Sequence, residues 1–172
     1  EKRDDVREQG DRLLSVFNKL EPDPATDGQT LSDAPLALAR NTLEQTLDRE
    51  YGGFGSAPKF PHPTTLERLL RHWRSTAIES EPDVEALFMA ALTLARMAEG
   101  GLFDHIGGGF YRYSVDRYWQ IPHFEKMLYD NGSLLAIYAQ AAVATGDALF
   151  GQAANATADW MLADMRDANG GF

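Results

Sequence analysis

An aspartate followed closely by Gly-Gly-Phe occurs three times in this chain: Asp48-Arg-Glu-Tyr-Gly-Gly-Phe54, Asp104-His-Ile-Gly-Gly-Gly-Phe110 and Asp167-Ala-Asn-Gly-Gly-Phe172. The phenylalanines stand 56 and 62 residues apart. Self-similarity at such a period marks stacked supersecondary units. The intervals read as pairs of helices. Leu66, Leu69, Leu70 and Trp73 recur on one stripe after Pro63, and the run from about Pro82 to Glu99 is apolar nearly all round. A further helix is expected from near Pro122 to Ala144, and another after Asp147, with Leu149, Ala153, Ala156, Trp160 and Ala163 on one stripe. Ahead of the first motif, Ser32 or Asp33 can cap a helix with Pro35 in its first turn and Leu36, Leu43 and Leu47 inward. No segment shows a convincing period-2 strand pattern. The fold class expected is all-α, built from helical hairpins.

Residues 1–20 read as a charged helix with apolar positions at Val6, Leu13, Leu14, Phe17 and Leu20, and residues 21–31 as a linker broken by prolines and a glycine. Residues 32–172 then form the hairpin region. If successive helices run antiparallel, every second loop lies at the same end. The loops at 51–62, 100–122 and 166 onward are those alternate loops, whereas 77–82 and 145–147 are short. The long glycine- and aromatic-rich loops therefore share one rim, which is where a rigid scaffold usually carries its binding groups.

Charge and composition exclude several functions. With 16 Lys+Arg against 26 Asp+Glu the formal net charge is −10, unsuited to displacing counterions from nucleic acid or to anionic membranes. The apolar run Ala86 to Leu92 is far short of the ~20 residues that span a bilayer. The absence of cysteine removes disulfide frameworks, zinc ribbons and thiol catalysis. A cytoplasmic location is the expectation.

The rim residues offer several chemistries. On a helix beginning at Pro122, His123, Lys126, Met127 and Asp130 would fall within an arc of about 100°, an imidazole near a carboxylate that can hold its tautomer. The plainer alternative has His123 starting that helix and Asp130 capping a segment. His105 and His62 are further rim histidines. Asp116 and Asp130 fall outside the repeated set and are the better carboxylate candidates, as a pair for glycoside hydrolysis. The repeated Asp48, Asp104 and Asp167 are read as loop-fixing, and Phe54, Phe110 and Phe172 as core anchors. Tyr111, Tyr113 and Trp119 could stack on sugar faces, and Arg112 and Lys126 could stabilise developing negative charge. Gly107-Gly-Gly109 lacks the strand and Gly-Lys-Ser/Thr of a phosphate cradle, and His123-Phe-Glu125 lacks the cysteines of a zinc deaminase. No metal-ligand spacing is diagnostic, and no cofactor is expected.

Three stretches closely resemble one family: Tyr51-Gly-Gly-Phe-Gly-Ser-Ala-Pro-Lys-Phe-Pro61, His105-Ile-Gly-Gly-Gly-Phe-Tyr-Arg-Tyr-Ser-Val-Asp116 and Trp119-Gln-Ile-Pro-His-Phe-Glu-Lys-Met-Leu-Tyr-Asp-Asn131. It is the spermatogenesis-associated, thioredoxin-domain-containing protein family. The resemblance implies an N-terminal thioredoxin-like domain, absent here, with residues 1–20 as the connector after it and 32–172 as the first part of an (α/α)6 toroid. Such toroids are similar to six-hairpin glycosidases and N-acylglucosamine 2-epimerases, which bind sugars in the central cleft. It therefore implies a carbohydrate ligand and either an epimerase/isomerase or a glycosidase. In the first, His105 or His123 moves a proton and Asp116 or Asp130 orients it. In the second, Asp116 and Asp130 form the carboxylate pair. His62, Arg112, Tyr111, Tyr113, Trp119 and Lys126 would bind substrate. The competing expectation is a non-catalytic scaffold partnering the thioredoxin-like domain. The repeat count also leads us to expect roughly half a toroid, whose exposed hairpin faces associate with another chain or with further residues.

Overall fold

The computed structural model describes residues 2–20, 31–79 and 81–172, so all of the 21–31 linker except Leu31 lies outside the described residues. Two compact units are present, Glu1–Ala34 and Pro35–Phe172. The first carries helix α1 (Lys2–Leu20), whose early Asp4 and Asp5 and late Lys19 suit the helix dipole. Arg12 pairs with Glu8 one turn earlier at 2.5 Å.

The second unit is built on α2 (Ala34–Thr46), α3 (Pro63–Glu79), α4 (Val84–Glu99), α5 (Leu128–Thr145) and α6 (Ala148–Trp160), with a π-helical turn at Met161–Met165. Among the described residues there is no strand of a sheet, only isolated bridges, and the fold is all-α and made of helical hairpins. Helices α3 and α4 form one hairpin and α5 and α6 the next; α3 also packs on α5, and α4 on α6. The four close around a core of Leu66, Leu69, Met89, Leu94, Leu134 and Tyr138. Short turns join the helices within each hairpin, and long loops at 47–62 and 100–127 separate the hairpins. Local chemistry sets the short ends. Asp83 caps α4 by accepting from the Ala86 N–H at 3.0 Å, and Asp147 caps α6 from Leu149 N–H at 2.9 Å. Gly146 ends α5 in the left-handed region, with φ 73°.

Helix α2 departs from the expected stripe. None of its residues is buried and Leu36 is exposed, while Leu43 and Leu47 reach the core edge. Charge holds it instead. Arg40 Nε donates to Asp83 Oδ2 at 2.7 Å and Nη2 to Oδ1 at 3.1 Å, and just past the helix Arg49 pairs with Glu85 at 2.6 Å. The His72 Nε2 lies 3.1 Å from Asp83 Oδ2, so this histidine is partly buried and partnered. The Arg40 hydrogen bond, opposed by burial, holds the Asp83 carboxyl down at about 2.

Helix α5 starts at Leu128, not near Pro122. His123 N–H donates to Tyr113 C=O at 2.9 Å, and Lys126 reaches back to Asp104 at 2.7 Å. The main-chain bond of His123 and the bridge between Ser114 and Pro122 hold the start of this segment extended, so the expected helical face of His123, Lys126, Met127 and Asp130 does not form.

Candidate functional site

The rim is assembled from loops that close in the same way. In the first, Asp48 N–H donates to Gly53 C=O at 2.9 Å and Gly52 N–H to Asp48 C=O at 2.7 Å. In the second, Asp104 N–H reaches Gly109 C=O at 2.9 Å and Gly108 N–H reaches Asp104 C=O at 2.8 Å. In the third, Asp167 N–H reaches Gly171 C=O at 2.7 Å and Gly170 N–H reaches Asp167 C=O at 2.9 Å. In each, the aspartate Oδ1 also accepts N–H groups inside the turn: Glu50 and Tyr51, then Ile106 and Gly107, then Asn169. The paired glycines supply the left-handed φ that such closure needs, +66° and +78° at Gly52 and Gly53 and +79° and +78° at Gly108 and Gly109. The repeated aspartates are thus loop-fixing groups.

A lysine then clamps each of the first two loops. Lys59 Nζ donates to Asp48 Oδ2 at 2.8 Å and to Gly52 C=O at 2.6 Å; Lys126 Nζ donates to Asp104 Oδ2 and to Gly108 C=O, both at 2.7 Å. Each ammonium also lies over an indole, Lys59 over Trp119 at 5.6 Å and Lys126 over Trp160 at 5.0 Å. Burial works to raise the Asp48 carboxyl, but the Lys59, Tyr51 N–H and Arg117 hydrogen bonds outweigh it and hold it at about 2. Asp104 is likewise pulled well below the usual carboxylate range by its N–H donors and Lys126, against the effect of burial.

Between the loops, bridges pair Lys59 with Ser114 and Ser114 with Pro122. Side chains alternate across such short extended pieces. Lys59 and Ser114 turn inward and are buried, and their neighbours Phe60, Tyr113 and His123 fall side by side on the opposite face. Phe60 and Tyr113 stack with centroids 4.8 Å apart, and Tyr113 and His123 at 4.7 Å with planes inclined by 17°. Next to this ladder of rings, Arg112 donates to Asp130 Oδ2, and its guanidinium lies 5.8 Å from the Phe60 ring and 5.2 Å from Tyr129. His123 Nδ1 is 3.4 Å from Glu125 Oε1, and both side chains are about half exposed. An open imidazole beside a carboxylate, on a platform of rings with an arginine alongside, can bind a ring-shaped polar ligand and exchange a proton with it.

The expected site residues divide accordingly. His123, Tyr113, Arg112 and Asp130 come together, and His62 stands at the ladder's end, 6.2 Å from Phe60. The rest serve the loops. Both Asp116 carboxylate oxygens are occupied by main-chain donors, Tyr118 and Gln120 on Oδ1 and Ile121 on Oδ2, so it braces the 116–121 turn. His105 Nε2–H donates to Gly100 C=O at 2.9 Å. Trp119 is fully buried, with its Nε1–H on Tyr51 C=O at 2.7 Å, and presents no face to a ligand. Lys126 is the second clamp, and Tyr111 packs against it at 5.2 Å and against Phe124. Sequence reasoning missed Phe60, Glu125 and Asn131. The Asn131 amide pairs with both main-chain groups of Phe110, at 2.6 and 2.9 Å. For Phe60 the available signal was its place in the first resembling stretch, and for Glu125 its place two residues after His123, which a helix from Pro122 would turn away from the imidazole; for Asn131 no local signal distinguishes it. Among the described residues no group of three or more acidic or histidine side chains could hold a metal ion. Nor is any described helix long and apolar enough to cross a membrane.

The chain is thus an all-α hairpin protein carrying a ring-lined site on its loop rim. No family model matches it. Over 130 residues, 76% of the chain, it is 45% identical to spermatogenesis-associated protein 20 of Rattus norvegicus and 43% identical to the Homo sapiens protein of that name. A Caenorhabditis elegans protein described as uncharacterised is 41% identical over 127 residues, 74% of the chain. This region is thus similar to a stretch of the spermatogenesis-associated proteins. The chain spans about one sixth of the length of the curated relatives it matches, 16% of the rat and human proteins and 17% of the worm protein.

Proposed function

We propose that the ring ladder is the ligand site of a carbohydrate-active module of the isomerase or epimerase kind, within an (α/α)6 toroid that follows a thioredoxin-like domain, in the cytoplasm. The observation that carries this reading is the stack of Tyr113 on the half-exposed His123, with Glu125 at the imidazole Nδ1. Aromatic faces suit the C–H faces of a sugar. Glu125 on Nδ1 favours the proton there, leaving Nε2 to take a proton from the carbon next to a sugar carbonyl. Arg112 balances the charge that develops on the oxygen, and the proton returns to carbon from His123 or from His62 at the other end of the ladder. The two-carboxylate hydrolase is less well supported, because Asp116 is consumed by main-chain donors.

A panel of mono- and disaccharides screened by thermal shift tests this on the full 172-residue chain. At least one sugar should raise the Tm, and Tyr113→Ala should abolish that rise. With the sugar so identified, His123→Asn should keep binding and lower turnover by about 100-fold or more. A panel that leaves the Tm unmoved would sink the reading. A second reading, a scaffold that docks a thioredoxin-like domain, is favoured by the bare Ile106 and Phe124 on the same rim, which are 101% and 78% exposed. A silent sugar panel together with rim amide shifts on adding a thioredoxin-like domain would select it.

A further inference from the structure

The segment Gly55-Ser-Ala57 belongs to neither the lysine clamp nor the ring ladder, yet it lines a hollow of about 610 Å3 together with Asp48, Arg49 and Arg117. Gly55 is left-handed at φ +78°, and a Cβ added there would meet nothing within 4 Å. Packing does not impose this conformation; it turns the chain so that residues 56 and 57 border the hollow. The Ser56 hydroxyl and the N–H groups of Ser56 and Ala57 make no hydrogen bond within the described protein. Arg117 spends Nε and Nη2 on Asp48 Oδ2, at 3.2 and 2.9 Å, and Arg49 spends Nη2 on Glu85 at 2.6 Å. That leaves Arg117 Nη1 and Arg49 Nε and Nη1 uncommitted.

What this place offers is free donors rather than net charge. Both Asp48 oxygens are already occupied, Oδ2 by Lys59 and Arg117 and Oδ1 by the Glu50 and Tyr51 N–H groups, and Glu85 is paired with Arg49 at 2.6 Å. Arg40 is shared between Asp83 and Glu44, Glu44 lies 3.7 Å from Arg49, and Glu50 lines the neighbouring hollow with Tyr51 and Tyr118, so no positive charge is left over. The spare donors come from three chain segments, at 49, 56–57 and 117. Groups converging from separate segments suit four oxygens around a centre better than a planar carboxylate, and turn N–H groups are common anion cradles.

We propose that this hollow is a binding site for a phosphoryl group, held by Arg49, Arg117 and the donors of Ser56 and Ala57. Its volume leaves room for the organic part of a phosphate ester. The site shares none of its ligand-contacting residues with the ring ladder, and the two stand or fall separately.

Amide NMR of the full chain titrated with inorganic phosphate provides the test, at constant ionic strength and about pH 7.5, where phosphate is mostly the dianion. Ser56 and Ala57 amides should shift saturably, and chloride in place of phosphate should leave them unmoved. Arg49→Gln, which lies outside the clamp, should weaken binding about tenfold, and Arg117→Gln by at least as much. Arg49→Gln keeps the test valid should loss of the Asp48 contact unsettle the Arg117 variant. Glycerol phosphate binding more tightly than inorganic phosphate would identify an ester as the ligand, and equal affinity the free ion. Unmoved Ser56 and Ala57 amides, affinity unchanged in Arg49→Gln, or acetate binding as well as phosphate would each overturn the assignment.

Discussion

Lysine 59 is the most informative single residue in the chain. Its side chain is 1% exposed and its ammonium is satisfied by one carboxylate and one carbonyl, a position tolerable only because both partners are fixed. Replacing it by methionine leaves Gly52 C=O without its donor and takes the ammonium from Asp48 Oδ2, which keeps only the half-exposed Arg117, and should cost about 3–5 kcal/mol. Lys126→Met, where the lysine and aspartate side chains are 13% and 20% exposed against 1% and 9% for the first pair, should cost less, about 1–3 kcal/mol. Urea denaturation of the two variants measures both. A neutral Lys59→Met, or equal losses at the two sites, would mean the clamp does not hold the rim. Lys126 was read from the sequence as a group to stabilise developing negative charge, but its carbonyl and carboxylate partners are set by a loop closure that only the fold reveals. Asp104 was legible as a loop-fixing residue because an aspartate beside a glycine turn has a local partner. Lys126 had none.

Among the elements, helices were legible where the signal is local. Apolar periodicity, with Pro63, Pro82 and the turn at Asp147 as starting points, placed α3, α4 and α6 to within a few residues. The start of α5 was not, because Pro122 is a good helix-opening residue and the bond from His123 N–H to Tyr113 C=O that overrides it is long-range. The same pairing creates the Phe60–Tyr113–His123 ladder, so the helix error and the missed site geometry have one cause. The third loop separates local from long-range effects in another way. It closes with the same main-chain bonds, yet among the described residues no lysine clamps it. Closure therefore belongs to the aspartate and glycines, and the lysine serves to tie a closed loop to a later stretch of the same connection. How tightly helix and loop meet is shown by Gly108, where a Cβ would stand 2.2 Å from Ala156 C=O on α6 at a φ of +79°. Gly146 is equally left-handed, with φ +73°, but open. Gly146→Ala should cost about 1 kcal/mol, from backbone conformation alone. Gly108→Ala must also push α6 away and should cost several-fold more, read from thermal melts. Similar losses at both positions would contradict the close packing of loop on helix.

At the scale of the whole second unit, the clamps and the α2 staple share one dependence on pH. Asp48 and Asp83 sit at about 2 when folded, against an ordinary value of 3.8, and Asp104 is shifted the same way. A carboxyl whose folded pKa is depressed stabilises the fold above its unfolded value, and that stabilisation is lost as pH falls toward the folded one. For Asp48 and Asp83 it amounts to about 2 kcal/mol each. These groups join α2 to α4 through Arg40, and the first loop to Lys59 and Arg117, so protonation loosens both at once. The chain's excess of acidic residues acts in the opposite sense at first, since titrating carboxylates relieves self-repulsion as pH falls toward the pI of about 4.8. Stability should therefore hold between pH 7 and 5 and fall steeply between about pH 4 and 2. Asp83→Asn should already be less stable at pH 7 and show a shallower acid slope, because its share of the linkage is gone. Urea midpoints across that range distinguish the cases. A wild-type midpoint that stays flat to pH 2.5, or an Asp83→Asn slope as steep as wild type, would show that the linked carboxylates do not hold the fold together.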